Sequence, residues 1–373
     1  METNPLRLVM LGAAAETRGS IAAVVETYRA HGLFKRWPID YLPTRGGAGP
    51  LESLVLALKA LQRFAALLWK HRRVVLHVHA CFDATFWRDA AFMALALAAR
   101  CPVILHLHGS GFERFHDRSS TPARALFAFF LRQAACVVAP SEALRSWIRG
   151  VARDAHAVYV PNPVPGAQAS RHEPGQNLVL FLGRLEARKG VFDLLEAVAA
   201  LRASVPDVRL VCAGEGDRGA VVRYAERLGL ADAVKFTGWV GPSGKRALLE
   251  NAAVLALPSY DEGLPMSVLE AMSAGVPAVV SPVGALPEAV VDGVSGLLIA
   301  PGDTAGLKRA LGKLLLDRQL AARMGAAARE SVRLRFAPER VIPQLEDLYE
   351  AAGLRSLVGA PQPERTIDLK EAA

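Results

Sequence analysis

The 373-residue chain predicts an α/β protein of two similar domains facing across a cleft. Two observations carry this. Short apolar runs alternate with amphipathic stretches along most of the chain, which is the pattern of a parallel sheet covered on both faces. The alternation breaks once, at Pro161–Asn177 (PNPVPGAQASRHEPGQN), where proline and glycine are frequent and no apolar period survives. Such a stretch reads as an interdomain linker. Boundaries follow at 1–165 and 166–335, with a last helical segment over 336–356 and a polar tail over 357–373. The apolar fraction of 52% supplies two cores, and the length agrees with two or three domains.

In chain order, the first half predicts strands at Arg7–Leu11, Ile39–Leu42, Val74–Ala80, Val103–Leu107, Cys136–Ala139 and Val158–Val160. Each is a short apolar run bounded by polar or turn residues. Helices fit Ser20–His31, Leu51–Lys70, Ala84–Arg100, Pro122–Ala134 and Glu142–Arg149, with Thr121 and Ser141 as N-caps. The second half predicts strands at Leu178–Leu182, Val208–Cys212, Val234–Thr237, Val254–Leu257, Ala278–Val280 and Leu297–Ile299, with helices between them. Helices Thr304–Leu316, Leu320–Arg335 and Pro338–Ala352 close the fold, and Gly359–Ala373 has the composition of disorder.

Composition narrows the function. No stretch reaches the ~18 uninterrupted apolar residues of a membrane span. Arg7 and Glu16 disqualify the N-terminal apolar run as a signal peptide, so a cytoplasmic protein is expected. Cys81, Cys101, Cys136 and Cys212 stand too far apart for a metal motif and read as buried thiols. Charge is uneven: residues 1–165 hold 20 Lys+Arg against 11 Asp+Glu, whereas the other 24 basic residues face 25 acidic ones. A basic first half suits an anionic membrane surface or nucleic acid, or is scattered solvated arginine. No stretch interleaves basic and aromatic residues as single-strand grooves do, so no nucleic acid is expected.

The chemistry concentrates at Pro258–Val280. An apolar strand ends at Pro258, an acidic loop follows, and a helix begins with Pro265 at its first position and ends at Gly275. Met266, Leu269, Ala271 and Met272 form its inner face. Open α/β sheets bind ligands at the carboxyl ends of strands, which is where this loop sits. The amides of Met266, Ser267 and Val268 would lack helical partners and face an anion, most simply a phosphate. Glu270 could then hold a ribose, while Glu262 reaches whatever the phosphate carries. The plain alternative makes Glu262 a solvated loop residue and Glu270 an exposed helix charge.

The flanks speak against that alternative. EGLPMSVLEAMSAGVPAVVS (Glu262–Ser281) resembles the E-x7-E signature of the retaining family 4 glycosyltransferases. The resemblance continues at FLGRLEARKGVFDLLEAVAAL (Phe181–Leu201), LVCAGEGD (Leu210–Asp217) and VKFTGWV (Val234–Val240). It is dense in the second half and thin in the first, and Pro265 stands where many members have glycine. It implies the GT-B fold, two Rossmann-like domains with the acceptor in the first and the nucleotide-sugar in the second. In that fold the final helix crosses back onto the first domain.

Further motifs fit the same picture. Gly183-Arg184 and Lys189-Gly190 flank a strand-to-helix turn, where two cations can clamp a diphosphate, Arg184 as a planar fork and Lys189 as a point charge. In the family the matching pair holds the donor diphosphate. Gly214, Gly216 and Gly219 spell a dinucleotide-binding G-x-G-x-x-G, but the acid expected to close the next strand is missing. The resemblance assigns this turn to the nucleotide pocket instead, with Glu215 and Gly216 near the donor. HLHGSGF (His106–Phe112) resembles the family's histidine–glycine motif, which points His108 into the cleft against the transferred sugar; a satisfied core histidine is the alternative. His77, His79, His106 and His108 have no carboxylate or cysteine spaced for a metal, and none is expected. Gly19 would reach the diphosphate from the first domain, although the family usually has paired glycines there. Asn162 reads as a structural hinge residue.

Together these predict a retaining, metal-independent hexosyltransferase with His108 and Glu262 catalytic. The donor set is Gly19, Gly183, Arg184, Lys189, Glu215, Gly216, Gly263, Leu264, Ser267, Val268 and Glu270. The co-substrate would be a UDP- or GDP-sugar, with no further cofactor, and the acceptor a lipid-linked or other saccharide in polysaccharide or glycolipid synthesis. Alternatives are a sugar-nucleotide epimerase or hydrolase of the same fold and a non-catalytic nucleotide-sugar binder. Peripheral membrane contact would use Lys35, Arg36, Trp37, the run 70–73 and the helix at Leu51–Lys70, unless Leu54, Leu58, Leu61 and Leu68 of that helix turn into the core.

Overall fold

The computed structural model describes residues 6–357, except 18, 47, 48, 72, 83, 110 and 167–176. The middle of the linker and the polar tail therefore lie outside the described residues, as does Arg72.

Two six-stranded sheets form, every pairing parallel. The first contains β1 (Arg7–Ala13), β2 (Ile39–Arg45), β3 (Val74–Ala80), β4 (Val103–Leu107), β5 (Cys136–Ala139) and β6 (Ala157–Tyr159), in the order β2-β1-β3-β4-β5-β6. The second contains β7 (Leu178–Leu182), β8 (Arg209–Ala213), β9 (Val234–Gly238), β10 (Val254–Leu257), β11 (Ala278–Val280) and β12 (Gly296–Leu298), in the order β12-β11-β10-β7-β8-β9. In each sheet the chain starts on an interior strand, builds one edge, then crosses back. The crossing falls between β1 and β3 in one sheet and between β7 and β10 in the other. Such switch points leave a crevice at the strand ends because successive helices cover opposite faces.

Separate cores support the sheets. One joins Val179, Leu255 and Val279 with Leu269 and Leu311; the other joins Leu76 and Leu105 of the first sheet with Phe64, Phe92 and Phe127. The opposite face of the first sheet is covered by the helix Pro338–Ala351, whose Val341, Ile342, Leu345 and Tyr349 pack on Leu8, Met10, Val75 and Ile104. The short helices Leu33–Arg36 and Phe112–Arg118 were not anticipated, being too brief to show a period.

Three local expectations change. Helix Thr121–Gln133 begins one residue early, so Ser120 holds the cap position and Thr121 lies inside; Ser141 does cap its helix, accepting from the Leu144 amide at 3.1 Å. Trp37 is buried and Arg36 pairs with Glu346 at 2.7 Å, which removes both from any docking surface. The helix Pro50–Lys70 buries Ala57, Ala60 and Phe64, not its leucine face. Leu61 and Leu68 pack at the margin, whereas Leu54 and Leu58 are more than half exposed, at 52% and 53%. Leu51, Val55 and Trp69 share that outer surface. Among the described residues no helix is long and apolar enough to cross a membrane.

Candidate active site

The two switch points face each other across a cavity of ≈ 430 Å³. The first domain contributes Ser20 at the start of the helix after β1, and Gly109, Ser141 and Asn162, each just beyond the end of a strand; the second contributes Arg188, Lys189 and the loop Asp261–Met266. Backbone packing fixes that loop. Gly190 adopts φ 69°, and a Cβ there would lie 2.0 Å from the Pro258 carbonyl oxygen. Gly284, at φ 57°, would place a Cβ 2.0 Å from the carbonyl oxygen of Glu262. The adjacent Ala285 amide donates to the Gly263 carbonyl at 2.9 Å. Only glycine permits these approaches, and they clamp the acidic loop from both sides.

Within the loop, Glu262 is 6% exposed and its Oε1 accepts from Lys189 Nζ at 2.5 Å and Ser259 Oγ at 2.8 Å. A cation and a carboxylate therefore neutralise each other in the cavity wall. Glu270 is held by a second lysine, Lys245, whose Nζ donates to both carboxylate oxygens at 2.7 and 2.8 Å. Burial nevertheless raises the Glu270 pKa, with Lys245 working against the rise. Neither Ser259 nor Lys245 was marked by sequence. Lys245 lies 25 residues from its partner on another helix, beyond any local motif.

The helix Met266–Ser273 starts one residue later than expected, because Pro265 has ψ 123° and occupies the cap. The Val268 amide donates to the Pro265 carbonyl at 3.1 Å and Val268 is buried, so it offers no free donor to an anion. Met266 and Ser267 form the open end. Gly263 and Leu264 line the cavity.

Arg184 does not line the cavity: its side chain is 61% exposed and pairs with Glu186. Arg188, four residues on, takes the place beside Lys189 and lies 3.7 Å from Asp261. Asp261 also meets Arg114 of the first domain, and Glu288 accepts from the Glu142 and Ala143 amides at 2.9 and 2.8 Å, so two carboxylates bridge the domains. Gly183 sits at the base of the turn, and a Cβ on Gly214 of the neighbouring strand's turn would lie 1.9 Å from its carbonyl oxygen. The Leu185 amide donates to the Glu215 carbonyl at 2.7 Å and the Asp217 amide donates to the Leu185 carbonyl at 3.0 Å, which pins the turn around Gly216; Glu215 and Gly216 are not among the residues lining the cavity. The dinucleotide reading fails here, because Asp217 already caps the following helix through the Ala220 amide at 2.9 Å. That carboxylate occupies the place a pyrophosphate would need.

In the first domain Gly19 caps the helix Ser20–Ala30 without lining the cavity; Ser20 does. Asn162 is 5% exposed, lines the cavity and has a side-chain oxygen with no partner among the described residues, so it is a candidate ligand contact and not only a hinge. His108 is 1% exposed, its Nε2 hydrogen-bonded to His79 Nδ1 at 2.8 Å, and the residue presented to the cavity is Gly109. Alternation along two paired strands is the cause: His79 stands opposite His106, with His77 and His108 beside them on the same face. Burial holds all four imidazoles far below their ordinary pKa, His106 at about 3. Five of their ring nitrogens lack partners among the described residues, each a cost of about 1–3 kcal/mol.

Two doubly wound domains meeting at their switch points are the GT-B architecture. Residues 167–331 match the model described as "Glycosyl transferases group 1" and residues 8–163 match the "Glycosyl transferase 4-like domain". The chain belongs to the glycosyltransferases of family 4 type. It is 35% identical over 206 residues to a glycogen synthase of Mycobacterium tuberculosis, covering 55% of this chain and 49% of that one. It is 34% identical over 221 residues to the phosphatidyl-myo-inositol mannosyltransferase of Mycobacterium leprae, covering 57% and 58% respectively. The chain thus spans about half the length of the curated relatives it matches. Among solved structures, the sucrose-phosphate synthase of Thermosynechococcus elongatus superposes with a TM-score of 0.73 at 22% identity, over 92% of this chain and 98% of that one. The Anabaena HepE protein in complex with UDP and glucose gives 0.72 at 19%, over 92% and 99%. At these identities the superpositions speak for the fold.

Proposed function

We propose that the protein is a retaining glycosyltransferase that moves a hexosyl group from a nucleotide-diphosphate sugar to an acceptor hydroxyl. The observation that carries this is the Lys189–Glu262 pair in the wall of a cleft shared by two domains. The donor diphosphate would enter between them. Lys189, with Arg188 beside it, would take the phosphate charge and stabilise the leaving nucleotide without a metal. Glu262, held by Ser259, would be released to orient sugar hydroxyls, and Glu270 with Lys245 would position the ribose. The acceptor hydroxyl would attack from the face the diphosphate leaves, giving its proton to the departing phosphate, so the anomeric configuration is kept. The Gly109 turn and Asn162 would meet the sugar from the first domain, with His108 supporting that turn from beneath. Arg114–Asp261 and Glu288 would favour the closed cleft, which excludes water from the donor.

The acceptor reading is a saccharide carried on a lipid at an anionic membrane surface. Its support is the exposed apolar strip of Leu51, Leu54, Val55, Leu58 and Trp69, rimmed by Lys59 and Arg63, on the basic domain. The donor complex of HepE makes UDP-glucose a natural first donor, with GDP-sugars the alternative. Thermal-shift screening against UDP-, GDP- and ADP-sugars, followed by transfer to a synthetic lipid-linked saccharide, tests this. A retained anomeric configuration in the product is expected. Donor hydrolysis or epimerisation without an acceptor, or tight donor binding with no turnover on any acceptor, would overturn it.

A further inference from the structure

The four buried histidines stand apart from the donor contacts and have a chemistry of their own. Ligating nitrogens of His77, His79 and His106 all lie within 4.8 Å of one another, and all three residues are fully buried. Their hydrogen bonds are sorted. His77 Nδ1 is 2.9 Å from Tyr349 Oη, and His79 Nδ1 is 2.8 Å from His108 Nε2. The opposite nitrogens, Nε2 of His77 and of His79, have no partner among the described residues, and neither has either nitrogen of His106.

We propose that His77, His79 and His106 form a three-nitrogen binding site for a borderline transition-metal dication of the zinc type. Metal-ligating histidines characteristically bind through one nitrogen and donate the other N–H to a fixed acceptor. Placing Nε2 of His77 and His79 on the cation leaves Nδ1–H on both, and each already faces an acceptor, Tyr349 Oη or His108 Nε2. His106 supplies whichever nitrogen turns inward. Burial keeps the rings neutral, the form that ligates. The rings now lie roughly stacked, His79 and His106 with centroids 4.9 Å apart and His77 and His106 with 5.7 Å. Ligation at about 2.0–2.1 Å requires the rings to turn out of this stack by χ1 and χ2 rotation, so that their in-plane lone pairs converge on the cation as the nitrogens draw together. Nearby Arg45 adds positive charge, but Asp89 at 3.0 Å counters it. Imidazole sets with no thiolate select zinc, nickel, cobalt or copper over magnesium and calcium.

The site does not depend on the donor reading, and donor binding is measured in parallel to keep the two apart. Full-length protein freed of metal with a chelator is titrated with Zn²⁺ and Co²⁺. One saturable equivalent is expected, with the intense visible absorption of low-coordinate Co²⁺. The melting temperature should rise by about 5 °C at a hundredfold excess of Zn²⁺ over its Kd. His106→Phe and His77→Phe should each lose that equivalent, and Tyr349→Phe should weaken it by about 10–100-fold. X-ray absorption of the wild-type zinc complex should count three imidazoles, which decides the matter even if the histidine variants fail to fold. The proposal is overturned if wild-type protein binds no equivalent, if folded variants bind it unchanged, or if fewer than three imidazoles surround the metal.

Discussion

At the scale of single residues, an anion entering the cleft has to part Lys189 from Glu262, which lie 2.5 Å apart and are mostly buried. Lys189→Ala removes a charge-assisted contact to phosphate, so nucleoside-diphosphate binding should weaken by about 1.5–3 kcal/mol in calorimetry while nucleoside binding holds. Arg184→Ala, at an exposed side chain already paired with Glu186, should cost much less; an equal loss would restore Arg184 to the clamp. Glu262→Gln should depress kcat more than the donor KM, and Glu270→Gln the reverse, as steady-state kinetics will show. The buried imidazoles set a pH limit on the fold. Held neutral below their ordinary pKa, they bind fewer protons than the unfolded chain does, so their contribution is intact above about pH 6.5 and lost as pH falls, at up to ~1.4 kcal/mol per unit for each ring. Asp89 works the other way: burial raises its pKa to about 6, so the folded chain gains a proton there first and offsets one ring. Urea midpoints should be level from pH 7 to 8 and fall steeply below pH ~6; equal midpoints at pH 5 and 7 would contradict this.

At the scale of elements, the loop between β10 and the helix Met266–Ser273 owes its shape to glycines on neighbouring turns. Gly284→Ala forces a Cβ onto the Glu262 carbonyl in a left-handed backbone, which should cost about 2 kcal/mol or more and displace the carboxylate. Differential scanning calorimetry should show a clear fall in Tm, with donor affinity lost alongside. Gly183→Ala, where the nearest atoms lie at an ordinary 3.5 Å, should keep its Tm and serves as the comparison. The E-x7-E loop was legible in sequence because its parts are contiguous: strand, turn and helix follow one another. The start of the helix was misplaced by one residue, since proline fixes φ but leaves ψ free to choose cap or first turn.

At the scale of the whole molecule, the basic first domain carries an apolar strip on its outside, so charge and burial point the same way. Co-sedimentation with anionic vesicles should succeed at low salt and fade at high salt, each Lys or Arg near the surface contributing about 1 kcal/mol. Leu54→Ser with Leu58→Ser should weaken binding even at low salt, because both side chains already face solvent and the fold does not need them. Failure of wild-type protein to bind at low salt, while it transfers to a soluble acceptor, would leave the strip without a membrane role.

By itself the sequence determined two parallel-sheet domains and the acidic loop with its two glutamates, both of which rest on local periodicity and contiguous turns. Only the tertiary structure decided which charges meet. Arg188 displaces Arg184 at the cavity, Lys245 holds Glu270, and residues from both domains, Arg114 with Asp261 and Glu288 with the helix at Glu142, join across the cleft. The same holds for the histidines, spread over His77 to His108 in sequence and gathered because β3 and β4 pair in register. Strand order brings such residues together, and no local pattern encodes it.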